Sequence, residues 1–304
     1  MKNTHARSQG TEAVAKGSAQ RAPKKKSTVR KLLVPVALIL IGLSVMLYPV
    51  VSSAWNNHAQ KRVAAEYEDL MGKTDPAKLN AAIERAREFN RQHTPGPILD
   101  PWDSRVSKDN ELYQLYLSQL AGQPAMSQVI IPSIDSQLPV YHGTKEETLQ
   151  RGLGHLYGSA LPIGGESTHA IITGHTGITN ATLWDNLDKV RVGDAVYVST
   201  FGLRMKYEVH DIEVVLPNET ESLKPVGNQD LLTLITCTPY GVNTHRLLVH
   251  AHRVPMDPAD EGEFDGNSFS MQWWMWAVLA IAVLVLGLLA WWISKTIKRD
   301  RHGQ

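Results

Sequence analysis

The sequence predicts a mainly β protein: an eight-stranded antiparallel β-barrel with short helices, preceded by a helical region and flanked by two transmembrane helices. Two observations carry the flanks and the barrel. Apolar runs at 32–51 and 273–293 are each about 20 residues, which at helical rise matches a bilayer core. Between them, short runs of β-favouring residues separated by Pro and Gly fall within about 130 residues, a spacing that suits a sheet closed on itself, without edges.

Taken in order, residues 1–31 form a tail rich in Lys, Arg, Gly and Ser without hydrophobic periodicity, expected to be disordered and cytoplasmic. Residues 32–54 form the first span, with Tyr48 and Trp55 at its margin as interfacial anchors. Ser52-Ser53-Ala54 offers a peptidase site, but the run is longer than a signal core and reads as an uncleaved anchor. Residues 55–125 form a stalk. Helices are expected at 59–70, burying Val63, Tyr67 and Leu70, and at 76–89, burying Leu79, Ile83 and Ala86, with Asp75-Pro76 marking the break. The stretch 94–104 is a proline-stiffened loop holding Trp102 in a polar setting, and 111–120 is a further short helix.

Residues 126–255 hold the barrel. Strands are expected at 128–131, 138–141, 169–174, 195–199, 203–209, 211–216, 231–236 and 246–253, with helical insertions at 147–152 and 181–187. Residues 256–272 are acidic and Gly-containing; Asp260, Glu261, Glu263 and Asp265 lack calcium-loop spacing, so the segment reads as a tether. The second span, 273–293, carries Trp273, Trp274, Trp276, Trp291 and Trp292, and the basic tail 294–304 follows. Lys24, Lys25, Lys26, Arg30 and Lys31 before the first span, and Lys295, Lys298, Arg299 and Arg301 after the second, place both termini in the cytoplasm and the barrel outside. The net charge of +1 gives no reason to expect nucleic acid.

The chain has one cysteine, Cys237, so an external domain cannot be using cysteine for internal staples. The thiol is either an inert buried group or one kept for chemistry. If the strand ending at Cys237 turns back through 239–244, Arg246 begins its antiparallel neighbour. A cation beside a thiol favours the thiolate or supplies a donor to an acyl oxyanion; on spacing alone Arg246 is also readable as a rim residue. Among twelve histidines, His175 stands where a buried strand hands over to a Thr176-Gly177 loop, a usual place for site residues, while His250 and His252 read as one face of a strand.

Thr233-Leu234-Ile235-Thr236-Cys237, Thr173-Gly174-His175-Thr176 and Arg246 together resemble the active-site strand, histidine segment and arginine of the sortases, over roughly 63–254. Asp100-Pro101-Trp102 resembles the lid tripeptide of the class C, pilus-building sortases of Gram-positive bacteria, including actinobacteria, as does a second terminal span. The resemblance implies a sortase-type barrel whose Cys237, His175 and Arg246 cleave an LPxTG-like signal through a thioacyl intermediate and pass it to a pilin lysine. It implies a lid at about 94–105, with Trp102 over Cys237 and Asp100 facing Arg246. It implies pilin and surface-protein partners at the membrane and no metal or organic cofactor. The Thr238 amide is a further candidate oxyanion donor on geometric grounds. A housekeeping sortase using a peptidoglycan precursor and a non-catalytic tethered binding module are the alternatives.

Overall fold

The computed structural model describes residues 28–93, 110–265 and 271–302. The chain divides into two compact units, one of residues 1–43 and 283–304 and the other spanning Ser44–Ala282. The first consists, among the described residues, of the apolar start of helix α1 (Thr28–Lys73) and most of helix α5 (Trp273–His302). Both helices are long and apolar enough to cross a membrane. Leu33, Leu38, Ile41, Val283 and Leu284 are exposed, an arrangement suited to lipid rather than water.

In the second unit, the rest of α1 runs without a break through the expected stalk helix. Its buried face is Gln60, Ala64, Tyr67 and Met71; of the expected residues Tyr67 is fully buried, Leu70 packs against the core from the edge of that face and Val63 is half-buried. Tyr67 sets that face: its hydroxyl accepts from the Phe201 amide at 2.6 Å and lies 3.4 Å from the Met126 carbonyl. Helix α2 (Pro76–Gln92) starts where expected, because the Asp75 side chain caps the Ala77 amide at 2.9 Å and Pro76 needs no donor. It buries Leu79, Ala82, Ile83 and Ala86. Helix α3 (Glu111–Ser118), capped by Asn110, buries Tyr113 and Tyr116.

The barrel consists of β1 (Ser127–Ile131), β2 (Ser136–His142), β3 (Leu153–His155), β4 (Thr168–Thr173), β5 (Ala195–Thr200), β6 (Leu203–Val215), β7 (Asp230–Thr238) and β8 (His245–Val254). It closes in the order β1-β2-β3-β4-β7-β8-β6-β5. Three features depart from the expected strands. The runs 203–209 and 211–216 belong to one strand, β6, with a register shift between Val209 and Asp211, so the bulged His210 breaks the alternation that suggested two. The missing eighth strand is β3, three residues long and too short to show a period. The barrel is also not wholly antiparallel: β2 pairs with β3, and β4 with β7, in parallel. Helix α4 (Glu146–Leu149) lies between β2 and β3. The expected insertion at 181–187 gives only turns and the 3₁₀ turn Leu187–Lys189.

Alternation along the strands separates two faces. Ala170, Ile172, Leu232, Leu234, Leu247 and Val249 point into the main core with the fully buried Trp184. Ile171, Ile235 and Leu248 point outward and form a second cluster with Leu156 and Leu223. Within the segment read as a tether, Pro258–Asp265 forms a 3₁₀ helix seated on the barrel. Asp260 accepts from the Tyr197 hydroxyl at 2.6 Å and from Lys206 at 2.9 Å, which hold its carboxyl down at about 2, and Phe264 packs edge-on against Tyr197.

Candidate active site

The parallel pair β4–β7 and the antiparallel pair β7–β8 bring the three candidate residues, Cys237, His175 and Arg246, to one end of the barrel. In β7–β8, Cys237 is directly opposite Arg246. On the other side of β7, the last pair with β4 is Thr173 with Ile235. The chains stay together beyond it: the Gly174 amide donates to the Ile235 carbonyl at 3.0 Å, and the Thr236 hydroxyl to the Gly174 carbonyl at 2.7 Å. His175 and Cys237 each stand two residues past that last pair. Cys237 therefore has His175 on the β4 side and Arg246 on the β8 side. Cys237 shares the outward face of β7 with Ile235, and Arg246 that of β8 with Leu248.

Each neighbour is held by its own turn. The Arg246 guanidinium Nη1 donates to the Asn243 and His245 carbonyls, each at 3.2 Å. The loop after β4 is fixed through Asp185, whose Oδ1 accepts from the Gly177 amide at 2.7 Å and the Thr176 hydroxyl at 3.2 Å; burial raises this carboxyl above its usual range. The Trp184 amide donates to the His175 carbonyl at 3.1 Å. Gly174 is required sterically, since a Cβ there would sit 2.6 Å from Leu153 Cδ2 and 2.9 Å from Trp184 Cε3. Farther along the loop, Asn56 and Asn57 of α1 donate to the Asn180 carbonyl at 2.6 Å and to the Thr182 hydroxyl at 2.8 Å. A cut after Ala54 would free the start of the segment that makes these bonds.

Cys237 is buried, with 9% of its surface exposed, and the His175 side chain is 12% exposed, so both are largely shielded from solvent. Thr238 pairs with His245 at the end of the ladder. Because the Ile235 carbonyl points to β4, alternation turns the Thr238 amide toward β8, and it would have to leave that ladder to serve as an oxyanion donor. Asp100, Pro101 and Trp102 lie outside the described residues. Among the described residues, no cluster of His, Cys, Asp and Glu has the geometry of a metal site.

Two features had no signal in the sequence. Glu146, at the start of α4, places its Oε2 3.1 Å from His175 Nε2; the two are 29 positions apart, and only the β2–β3 connection brings them together. The second is a buried polar chain on the outer face. His169 Nδ1 donates to the Lys224 carbonyl at 3.2 Å, the Thr233 hydroxyl donates to His169 Nε2 at 2.6 Å, and His250 Nδ1 lies 2.8 Å from that hydroxyl. It ties the β6–β7 connection to the strand that carries Cys237. His250, read as merely one face of a strand, is part of it.

Burial pushes His169 down to about 4, and also His155, whose Nε2 donates to the Ala160 carbonyl at 2.8 Å. Both imidazoles are then neutral in the fold but protonate near 6.5 once unfolded, so stability is complete above pH 6.5 and falls as pH drops from there toward 4. Each histidine is expected to cost about 2 kcal/mol by pH 5. Urea midpoints of the full chain in detergent should fall between pH 7.5 and 5, with a shallower slope in His155→Asn. A flat midpoint over that window would contradict the assignment.

The Sortase domain family model matches residues 129–254. Sortase C-1 from Actinomyces oris is 51% identical, with a TM-score of 0.58, covering 60% of this chain and 100% of that one. Sortase A from Corynebacterium diphtheriae is 49% identical, with a TM-score of 0.60, covering 68% and 98%. Sortase C from Streptococcus pneumoniae, whose structure is described in terms of catalysis and pilin substrate specificity, is 38% identical, with a TM-score of 0.59, covering 64% and 97%. Curated sortases match at 24% to 28% identity, and the chain spans only 52% to 64% of their length.

Proposed function

This chain belongs to the sortase family, and from that premise we propose that it is a cysteine transpeptidase of the pilus-building class, acting on LPxTG-like sorting signals. The observation that supports the chemistry is the placement of Cys237 between His175 and Arg246 at the end of β7. The thiolate of Cys237 attacks the Thr carbonyl of the signal, and Arg246 donates to the oxyanion that develops. The Thr–Gly C–N bond then breaks as His175 protonates the departing Gly amine, leaving a thioacyl enzyme. A pilin lysine amine gives its proton to His175 and attacks the thioester. The C–S bond breaks, the thiolate returns and an isopeptide bond joins the subunits.

The choice of a pilin lysine as acceptor rests on the similarity to sortase C proteins and on the Asp100-Pro101-Trp102 tripeptide. In this reading Trp102 covers the thiol and Asp100 faces Arg246 until a signal enters. The barrel stands outside the membrane, with both basic ends inside, so that α1 and α5 anchor it where surface proteins emerge. A water-poor, covered thioester favours an amine over hydrolysis. No step calls on a metal or organic cofactor.

The test offers the full chain, in detergent, a pilin bearing a sorting signal and a peptidoglycan-precursor analogue. A ladder of covalent polymer resistant to denaturant is expected. Acceptance of the precursor alone would assign the chain to the wall-attaching class instead.

A further inference from the structure

Resting on the reading of His175 as the proton carrier, we propose that Glu146 is its positioning residue, holding the imidazole in one tautomer and one orientation. A carboxylate has no proton to give at neutral pH, so the 3.1 Å contact between Glu146 Oε2 and His175 Nε2 requires that Nε2 carry the hydrogen. Nδ1 is thereby the nitrogen that exchanges protons with the thiol, the departing Gly amine and the incoming lysine amine. This is the role of a third group that orients a base.

Glu146 is itself held. Its second oxygen, Oε1, accepts from Gln150 Nε2 at 2.9 Å, so the carboxylate is oriented from one side while it binds His175 from the other. Helix α4 cannot drift, because Leu149 is fully buried and packs where a Cβ on Gly154 of β3 would sit, 2.9 Å away. The contact therefore joins two rigid supports, the α4–β3 unit and the end of β4.

The other charged or titratable groups near this loop include Asp185, already bound to Thr176 and Gly177; Tyr240, whose ring lies beside Gly177; Lys145 and Glu147, beside Glu146; and Cys237 and Arg246 on β7 and β8. Among the described hydrogen bonds, Glu146 is the group placed on Nε2. Its side chain is 62% exposed against 12% for His175, so the effect is moderate and screened by salt.

The test compares the wild-type chain with Glu146→Gln and Glu146→Asp, using ¹⁵N NMR of the His175 ring in resting enzyme alongside pH profiles of signal-peptide cleavage. The wild type should show the Nε2–H tautomer when neutral. Glu146→Gln should weaken the preference for the Nε2–H tautomer and reduce kcat/KM about three- to tenfold at low salt, with KM nearly unchanged and the difference shrinking at 0.5 M salt. Glu146→Asp should recover part of the rate. An Nδ1–H tautomer in the wild type, or the same tautomer populations in wild type and Glu146→Gln, would overturn the proposal. The NMR arm needs no substrate, so failure of the transpeptidase reading, seen as turnover by Cys237→Ala, remains distinguishable.

Discussion

Replacing Arg246 with Ala should lower kcat for thioacyl formation by about 10² to 10³, the usual loss on removing one oxyanion donor. Arg246 is paired across the ladder with Cys237, and its guanidinium is braced by the Asn243 and His245 carbonyls. The donor is thus in place before substrate arrives, and its removal takes away an interaction that grows as the carbonyl oxygen becomes charged. Arg246→Lys keeps the charge but loses the planar fork and both braces, so it should recover less than tenfold. Single-turnover kinetics with a sorting peptide measures this. An Arg246→Ala rate within threefold of wild type would remove the guanidinium from the chemical step.

Gly174→Ala should reduce kcat/KM about 100-fold although residue 174 is neither nucleophile nor proton carrier. The added Cβ would meet Leu153 and Trp184 inside 3 Å, and both are fully buried and unable to yield. The end of β4 has to move instead, and His175 is the next residue. A displacement of about 1 Å at a reacting group costs on the order of 10² in rate. Overpacking should also lower stability by about 1–3 kcal/mol. Gly227→Ala, where nothing lies within 4 Å of the added atom, serves as the control and should behave as wild type in both assays. Equal activity of the two variants would mean that the β4 end does not set the His175 position.

The sequence carried the parts of the fold whose signal is local. Seven of the eight strands show as apolar runs, Asp75-Pro76 marks a helix start, and the two spans stand out by length. What it could not carry depends on partners far away in the chain. β3 is a strand only because β2 and β4 flank it, and β6 looked like two strands because the bulge at His210 inverts the alternation. The docked turn at 258–265 read as a tether because acidic composition suggests solvent, yet Asp260 is held by Tyr197 and Lys206, more than 50 residues earlier. The site divides in the same way. Cys237 and Arg246 are nine residues apart, so strand-and-turn logic paired them from sequence. His175 needed the resemblance, because its approach to Cys237 follows from the parallel β4–β7 pairing. Glu146 had neither a local pattern nor a motif to reveal it.

The central claim is that Cys237 carries the acyl group. Intact-mass spectrometry of the full chain, quenched with acid after mixing with a sorting peptide, tests it most directly. The expected result is an adduct equal to the peptide fragment up to its Thr, removable by hydroxylamine, mapped to Cys237 and missing in Cys237→Ala. Formation of amine-transfer product by Cys237→Ala, without any adduct, would contradict it.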